Sequence, residues 1–238
     1  MRKELDNFII ESDMKLDYFN EIADYILKNE EKILNFFNLK KLPEKCKIKI
    51  MNYNQFKDYI IKNYGKVYNY MRGTMDGKTK TIRILNIEDQ RKFTIHKHST
   101  INSTAKMIMH EIVHLCNDYV NDDYEQTIWF REGLATNLSD QKYDLVSLNN
   151  CDFELLKNDF IGFGKGNYSY SYTIVYYLLN NYAKEEIEKL VSNSNYLKES
   201  SNRIFDEAKR FVLNEINDRL NSCKVRNLWK VYKLKIKT

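Results

Sequence analysis

His110, Glu111 and His114 spell H-E-I-V-H in a chain that holds only four histidines, and a further acidic residue, Glu132, follows within W-F-R-E-G-L-A-T. On an α-helix, residues four apart stand one above the other, so both imidazoles can reach a single Zn²⁺. Glu111, one residue on from His110 and rotated by about 100°, can hold and deprotonate an attacking water without becoming a ligand. Two histidines leave a zinc site incomplete. Glu132, if it begins a neighbouring antiparallel helix, supplies the third ligand and leaves a fourth position for water and a substrate carbonyl, the layout of a catalytic zinc site. The competing reading makes His110 and His114 ordinary helix residues with satisfied ring nitrogens.

The segment around the motif must therefore be a helix, and its pattern says so. Ala105, Ile108, Ile112, Leu115 and Tyr119 recur at spacings of three and four, one apolar stripe facing a core. Asn102, Ser103 or Thr104 is placed to cap its start. Met107, Met109 and Val113 keep the histidine side largely apolar too, which predicts a helix buried nearly all round. A buried imidazole pair without a partner is costly, and a bound metal removes that cost.

Three blocks, M-I-M-H-E-I-V-H-L (107–115), T-I-W-F-R-E-G-L-A-T (127–136) and N-Y-S-Y-S-Y-T-I-V-Y-Y-L-L (167–179), resemble the gluzincin zinc metallopeptidases. Within that group the chain is most similar to the small "peptidase MA-like" proteins that share the core of thermolysin and of aminopeptidase N. The resemblance spans about residues 107 to 190, and weaker similarity in element order extends toward residue 45. It implies an α+β, zincin-like metallopeptidase core, with a small mixed sheet over the helix of the H-E-x-x-H motif and a helical C-terminal lobe. It also implies His110, His114 and Glu132 as zinc ligands, Glu111 as general base, and Tyr168 as the hydroxyl that hydrogen-bonds the developing oxyanion. Tyr170 and Tyr172 stand close enough to compete for that last role, and packing along a helix entrance explains any of the three equally well. Two features depart from the group. The interval from His114 to Glu132 is slightly short, and Thr136 stands where an Asp would orient a ligand histidine. Asp118, one turn after His114, is the candidate to replace it.

Composition fits such a protein. A chain of 238 residues with 43% hydrophobic and 30% charged residues is globular in type and long enough to bury a sizeable core. One proline and seven glycines argue for long, mostly helical elements. The net charge of +5 is spread along the chain and points to no nucleic-acid partner. No apolar run reaches a membrane span or a signal-peptide core, and Cys46, Cys116, Cys151 and Cys223 form no C-x-x-C pair. Free thiols in a reducing compartment follow, and a cytoplasmic location is the expectation.

The expected organisation is one compact catalytic unit in three parts: an N-terminal helical segment (1–45), a mixed-sheet subdomain ending in the zinc helix (46–120), and a helical lobe (121–238). Helix-period residues from Phe8 to Phe37 predict two helices over 4–40, Lys47 to Tyr53 a strand, and Gln55 to Asn63 a helix. Asp76-Gly77 is a turn signal, Thr79 to Ile87 a second strand and Lys92 to His96 a third. Helices are expected from Tyr172 to Asn193 and from Asn202 to Leu220. The Gly162, Gly164, Gly166 cluster reads as a turn leading to Tyr168. The basic stretch Lys224 to Lys237 reads as an edge strand or closing element with a solvated charged face.

Two motifs are set aside. His96 and His98 have no further ligands beside them and read as a surface pair. Gly73 to Gly77, G-T-M-D-G, faintly matches the G-x-M-E-N loop with which aminopeptidases grip a substrate amino terminus, but a tight turn explains it. The substrate backbone is expected to add to an edge strand within Thr79 to Ile87 or Lys92 to His96. The partner implied is a peptide or protein substrate, with the oligomeric state open. Against the peptidase stands a second class, a zinc-holding interaction protein that keeps the site and turns over no peptide.

Overall fold

The computed structural model describes residues 1–121 and 128–235, with side chains to residue 215. The chain opens on strands, where helix was expected. β1 (Arg2–Glu4) pairs antiparallel with β2 (Phe8–Glu11). Phe8 and Ile10 are buried while Ile9 and Glu11 are only half-buried, a period of two too short to stand out against the helical pattern that follows it. A single helix, α1 (Phe19–Phe36), takes the rest of that segment. It is followed by β3 (Cys46–Met51), parallel to β2, and by α2 (Tyr53–Tyr64). A capping box of Asn52 with Gln55 starts α2, and Gly65 at a φ of 77° ends it, as expected for a left-handed C-terminal residue.

β4 (Gly73–Asp76) and β5 (Thr81–Leu85) complete a five-stranded mixed sheet in the order β1-β2-β3-β5-β4. β2, β3 and β5 run parallel, and the two outer strands are antiparallel to their neighbours. The expected strand at Thr79 to Ile87 is thus β5, an interior strand. The one expected at Lys92 to His96 does not form, because Asn86 caps a short helix, α3 (Ile87–Phe93), through a bond from the Asp89 amide.

α4 (Ile101–Val120) follows. Its cap is Thr100, slightly earlier than expected, in a reciprocal pair with Ser103 at 3.1 and 2.8 Å. Buried Gln90 stitches its start to the sheet: its amide donates to the Leu85 carbonyl at 2.7 Å, and its carbonyl accepts from Ser99 Oγ at 2.7 Å. Ile108, Ile112 and Leu115 are fully buried in one core with α1 and with Ile82 and Ile84 of β5. Phe56 and Ile60 of α2 pack with Leu85 in a smaller cluster.

α5 (Ile128–Leu138), α6 (Phe153–Asn158), α7 (Asn167–Asn181), α8 (Lys184–Ser192) and α9 (Ser194–Lys235) form the C-terminal half. The helix expected over 172–193 is therefore two, broken at Tyr182 and Ala183. The stretch expected as an edge strand or closing element lies on α9 as far as Lys235, its side chains outside the described residues. The architecture is mixed, helices around one small sheet, compatible with an α+β class. No helix of the described residues is long and apolar enough to cross a membrane. Among those residues Cys46, Cys116 and Cys151 are free thiols.

Candidate metal centre

α4 presents His110 and His114 toward α5, and Glu132 on α5 meets them. The two Nε2 atoms lie 3.1 Å apart, with Glu132 Oε2 at 3.2 Å from His110 Nε2 and Oε1 at 3.4 Å from His114 Nε2. Glu132 thus joins two histidines that lie 18 and 22 positions before it in sequence, all three at most 8% exposed. Zinc–ligand bonds near 2.0–2.1 Å at tetrahedral angles put neighbouring ligand atoms roughly 3.3 Å apart. The observed spacings straddle that value, so this buried His-His-Glu group fits a metal ion. Among the described residues His110 Nδ1 and His114 Nδ1 are buried without a hydrogen-bond partner, so there neither ring finds the carbonyl or carboxylate acceptor that usually orients a ligand histidine.

The register of α5 is held from two sides. Gly133 lies so close to α7 that a Cβ there would come within 2.4 Å of Val175 Cγ2 and 2.6 Å of the Ser171 carbonyl oxygen. On the other side Arg131, buried at 2% exposure, pairs with Asp118 of α4 and donates to the Asn121 carbonyl at 3.1 Å. Asp118 is thereby engaged by the residue next to Glu132, and it does not support His114 as expected. Thr136 donates its hydroxyl back to the Glu132 carbonyl at 2.8 Å.

Glu111 is also buried, facing β4. A Cβ at Gly73 would stand 3.2 Å from Glu111 Oε1, so only glycine leaves this approach unobstructed. Burial raises the Glu111 carboxyl to about 7, with Glu132 adding to the rise, while His110, Arg72 and the Met75 amide pull against it. Burial would raise Glu132 as well, but the His114 and His110 imidazoles outweigh it and hold Glu132 well below the usual carboxylate range.

β4, not either expected segment, is the outer strand on this side of the sheet. The Leu85 amide donates to the Arg72 carbonyl at 2.9 Å, and with Thr74 opposite Arg83 the ladder bonds alternate. The main-chain groups of Gly73 and Met75 therefore point outward. Gly73 to Asp76 is strand and the turn begins only at Gly77, so the tight-turn explanation covers less of the G-T-M-D-G segment than expected. Arg83 fixes this strand, lying 3.8 Å over the Tyr59 ring and 3.6 Å from Asp76, which also accepts from the Tyr59 hydroxyl at 3.0 Å.

Tyr168 lies in the first turn of α7, its ring edge-on to Phe160 at 5.3 Å. That contact sets the ring against the short connection that follows α6. Tyr170 packs on Phe163, and Tyr172 is buried against Tyr143 at 5.6 Å. His98 is exposed, and half-buried His96 presents Nε2 to the Tyr70 carbonyl at 3.0 Å, so neither joins the centre.

Two residues that sequence reasoning passed over feel the charges of the centre, Arg72 that of Glu111 and Tyr143 that of Glu132. Burial lowers the Arg72 guanidinium, and Tyr143 and Glu111 oppose that shift. Burial raises the Tyr143 hydroxyl, with Arg72 opposing and Glu132 adding to the rise. Neither lies in a recognisable motif: Arg72 precedes a four-residue strand, and Tyr143 belongs to the irregular segment after α5. No protein-family model matches the chain, and no curated protein matches it.

Proposed function

We propose that the protein is a zinc-dependent metallopeptidase of the gluzincin type, built on a zincin-like core. The observation that carries this reading is the convergence of His110, His114 and Glu132 at tetrahedral spacing, with a buried, non-ligand Glu111 on the same helix. When bound, Zn²⁺ supplies Lewis acidity to the attacking water and to the scissile carbonyl. Glu111 removes the water's proton and returns it to the leaving amine. The outward main chain of Gly73 and the outward Met75 carbonyl hold a peptide substrate by strand addition. Tyr168 donates to the oxyanion, and Tyr143, within the field of Glu132, is the second candidate. The scattered thiols suit a cytoplasmic setting.

A second reading, a zinc-holding interaction protein, draws on the unsupported Nδ1 atoms of both ligand histidines, since such support usually raises metal affinity and activity by roughly 10- to 100-fold. Metal analysis of the purified protein followed by mixed-peptide cleavage with and without a chelator separates the two. Bound zinc with chelator-sensitive cleavage is the expected result. Bound zinc without cleavage of any peptide would favour the interaction protein.

A further inference from the structure

Two stretches of the chain, 59–75 and 90–110, hold seven Lys and Arg between them and no Asp or Glu. The fold joins them in the segment that leads into β4: the Ile95 amide donates to the Asn69 carbonyl at 2.9 Å, and His96 Nε2 meets the Tyr70 carbonyl at 3.0 Å. Apolar side chains gather along this seam without being buried by it. Tyr68 and Tyr70 stack with ring centroids 5.3 Å apart, Phe93 stacks on Tyr53 at 4.1 Å, and Tyr68, Tyr70, Phe93 and Ile95 remain 39% to 58% exposed. Ammonium groups stand among them. Lys66 Nζ lies 4.9 Å from the Tyr68 ring and Lys92 Nζ 5.1 Å from the Phe93 ring, while Lys97 Nζ donates to the Lys92 carbonyl at 3.2 Å. Among the described residues none of these three lysines is in an ion pair. Exposed apolar side chains scattered singly call for no partner, but a contiguous patch rimmed by charge marks an interaction surface.

We propose that this shelf docks an acidic, aromatic-containing stretch of the peptide or protein substrate, next to the part that adds to β4. The proposal rests on the peptidase reading of the metal centre. Continuity decides the occupant. Tyr70 precedes Gly73 by three residues, a span of at most about 11 Å, so a chain lying along the outer edge of β4 runs off its Gly73 end toward the stacked tyrosines. The Tyr64 hydroxyl, 3.4 Å from Thr74 Oγ1, carries the aromatic surface onto the strand itself. Charge decides the class: lysines with no carboxylate of their own offer donors to Glu or Asp side chains, and the exposed rings pack the aromatic residues between them. None of these groups belongs to the metal centre, so the contact adds affinity equally before and during the reaction and its loss raises KM without lowering kcat.

Fluorescence anisotropy with short labelled peptides tests this on the Glu111→Gln protein, in which no probe is cut. One peptide alternates Glu with Phe and Tyr, and its counterpart carries Gln for every Glu. The acidic probe should bind roughly tenfold more tightly, the combined gain of three exposed ion pairs, with an advantage that shrinks as salt rises. Replacing all three lysines, Lys66→Glu, Lys92→Glu and Lys97→Glu, should erase that advantage and leave zinc content and thermal stability at parental values, because all three side chains are exposed. With Glu111 intact, the same replacements should raise KM roughly tenfold for a cleaved peptide that carries the acidic stretch and leave kcat alone. Equal binding of the two probes by the parent lysine set, a preference that survives the triple replacement, or an acidic stretch that confers no KM advantage would overturn the proposal and leave the metal site standing. Lysine-dependent binding of phosphatidylserine vesicles or of a thymidine oligonucleotide, with no binding of the acidic peptide, would overturn it in favour of a membrane or nucleic-acid partner. Chelating the zinc should not change the probe preference. Lysine-dependent binding of the acidic probe by a protein that cleaves no peptide would therefore sink the peptidase reading and leave the shelf as an acidic-peptide site.

Discussion

α4 and α5 hold the ligands from inside the core, whereas β4 and the segment around Tyr143 face them from the surface. His110, His114 and Glu132 are at most 8% exposed, while Tyr143 is 37% exposed and every residue of β4 is only half-buried. The ligand side is fixed by close helix packing at Gly133 and by a buried Arg131. The opposite side depends on a four-residue strand and a few side-chain bonds at Asp76. Such a division lets a rigid centre persist while the surface that meets the substrate adjusts. Changes on the two sides should therefore have separable consequences, metal loss on one and altered turnover or selectivity on the other.

The largest effect is expected from Glu132→Ala. Removing the third ligand should abolish stoichiometric zinc and with it all chelator-sensitive cleavage, while far-UV circular dichroism stays near that of the parent because the α4–α5 core does not depend on the ion. Retention of zinc with unaltered affinity would place the third ligand elsewhere. Glu111→Gln comes next: zinc should remain at parental stoichiometry while turnover falls by roughly 10² to 10⁴, the contribution of a general base. Peptide cleavage within a few-fold of the parent would remove Glu111 from that role.

The ligand side is also the side that sequence reveals. Its residues lie on long helices, where a 3.6-residue period and a five-residue motif survive any uncertainty in register, and Ala105, Ile108, Ile112 and Leu115 are all buried as their spacing requires. The other side rests on short or irregular pieces. β2 carries only two buried residues, Phe8 and Ile10, so it merges with the helical pattern of the next segment. β4 is outermost only because β5 pairs between it and β3, a long-range fact that no local pattern states. Asp118 is a reasonable support for His114 by its one-turn spacing, but Arg131 takes it from another helix. Arg72 and Tyr143 carry no periodicity at all. Their signal is an arginine and a tyrosine that acquire meaning only when the folded chain brings them within the fields of Glu111 and Glu132.

A smaller effect should come from the oxyanion donor. Tyr168→Phe is expected to lower kcat by roughly 10²-fold with KM and zinc content little changed, the loss of one donor that acts only in the transition state. Tyr143→Phe is the control from the surface side. If steady-state kinetics find Tyr168→Phe normal and Tyr143→Phe impaired, the donor comes from the irregular segment, and the division between the two sides then also divides metal binding from oxyanion stabilisation.

The smallest effect tests the seam where the two sides meet. At Gly73 an added Cβ would stand 2.8 Å from Ile84 Cδ1 and 3.2 Å from Glu111 Oε1. The first contact involves the far end of a flexible side chain, which can swing aside. The second leaves Glu111 to give by a few tenths of an ångström. Gly73→Ala should therefore leave zinc and thermal stability near parental values and lower kcat by roughly tenfold, a fraction of the 10²-fold cost of misplacing a reacting group by about 1 Å. Gly77→Ala is the matched control, because its Cβ would meet Asp118 Oδ2 at 2.9 Å instead of the base. Its burden falls on the Asp118–Arg131 pair that steadies α5, so thermal stability, measured by calorimetry, should fall while kcat per bound zinc holds. The reverse pattern, Gly73→Ala unfolding early and Gly77→Ala slowing turnover, would mean that β4 supports the core and that the turn after it approaches the chemistry.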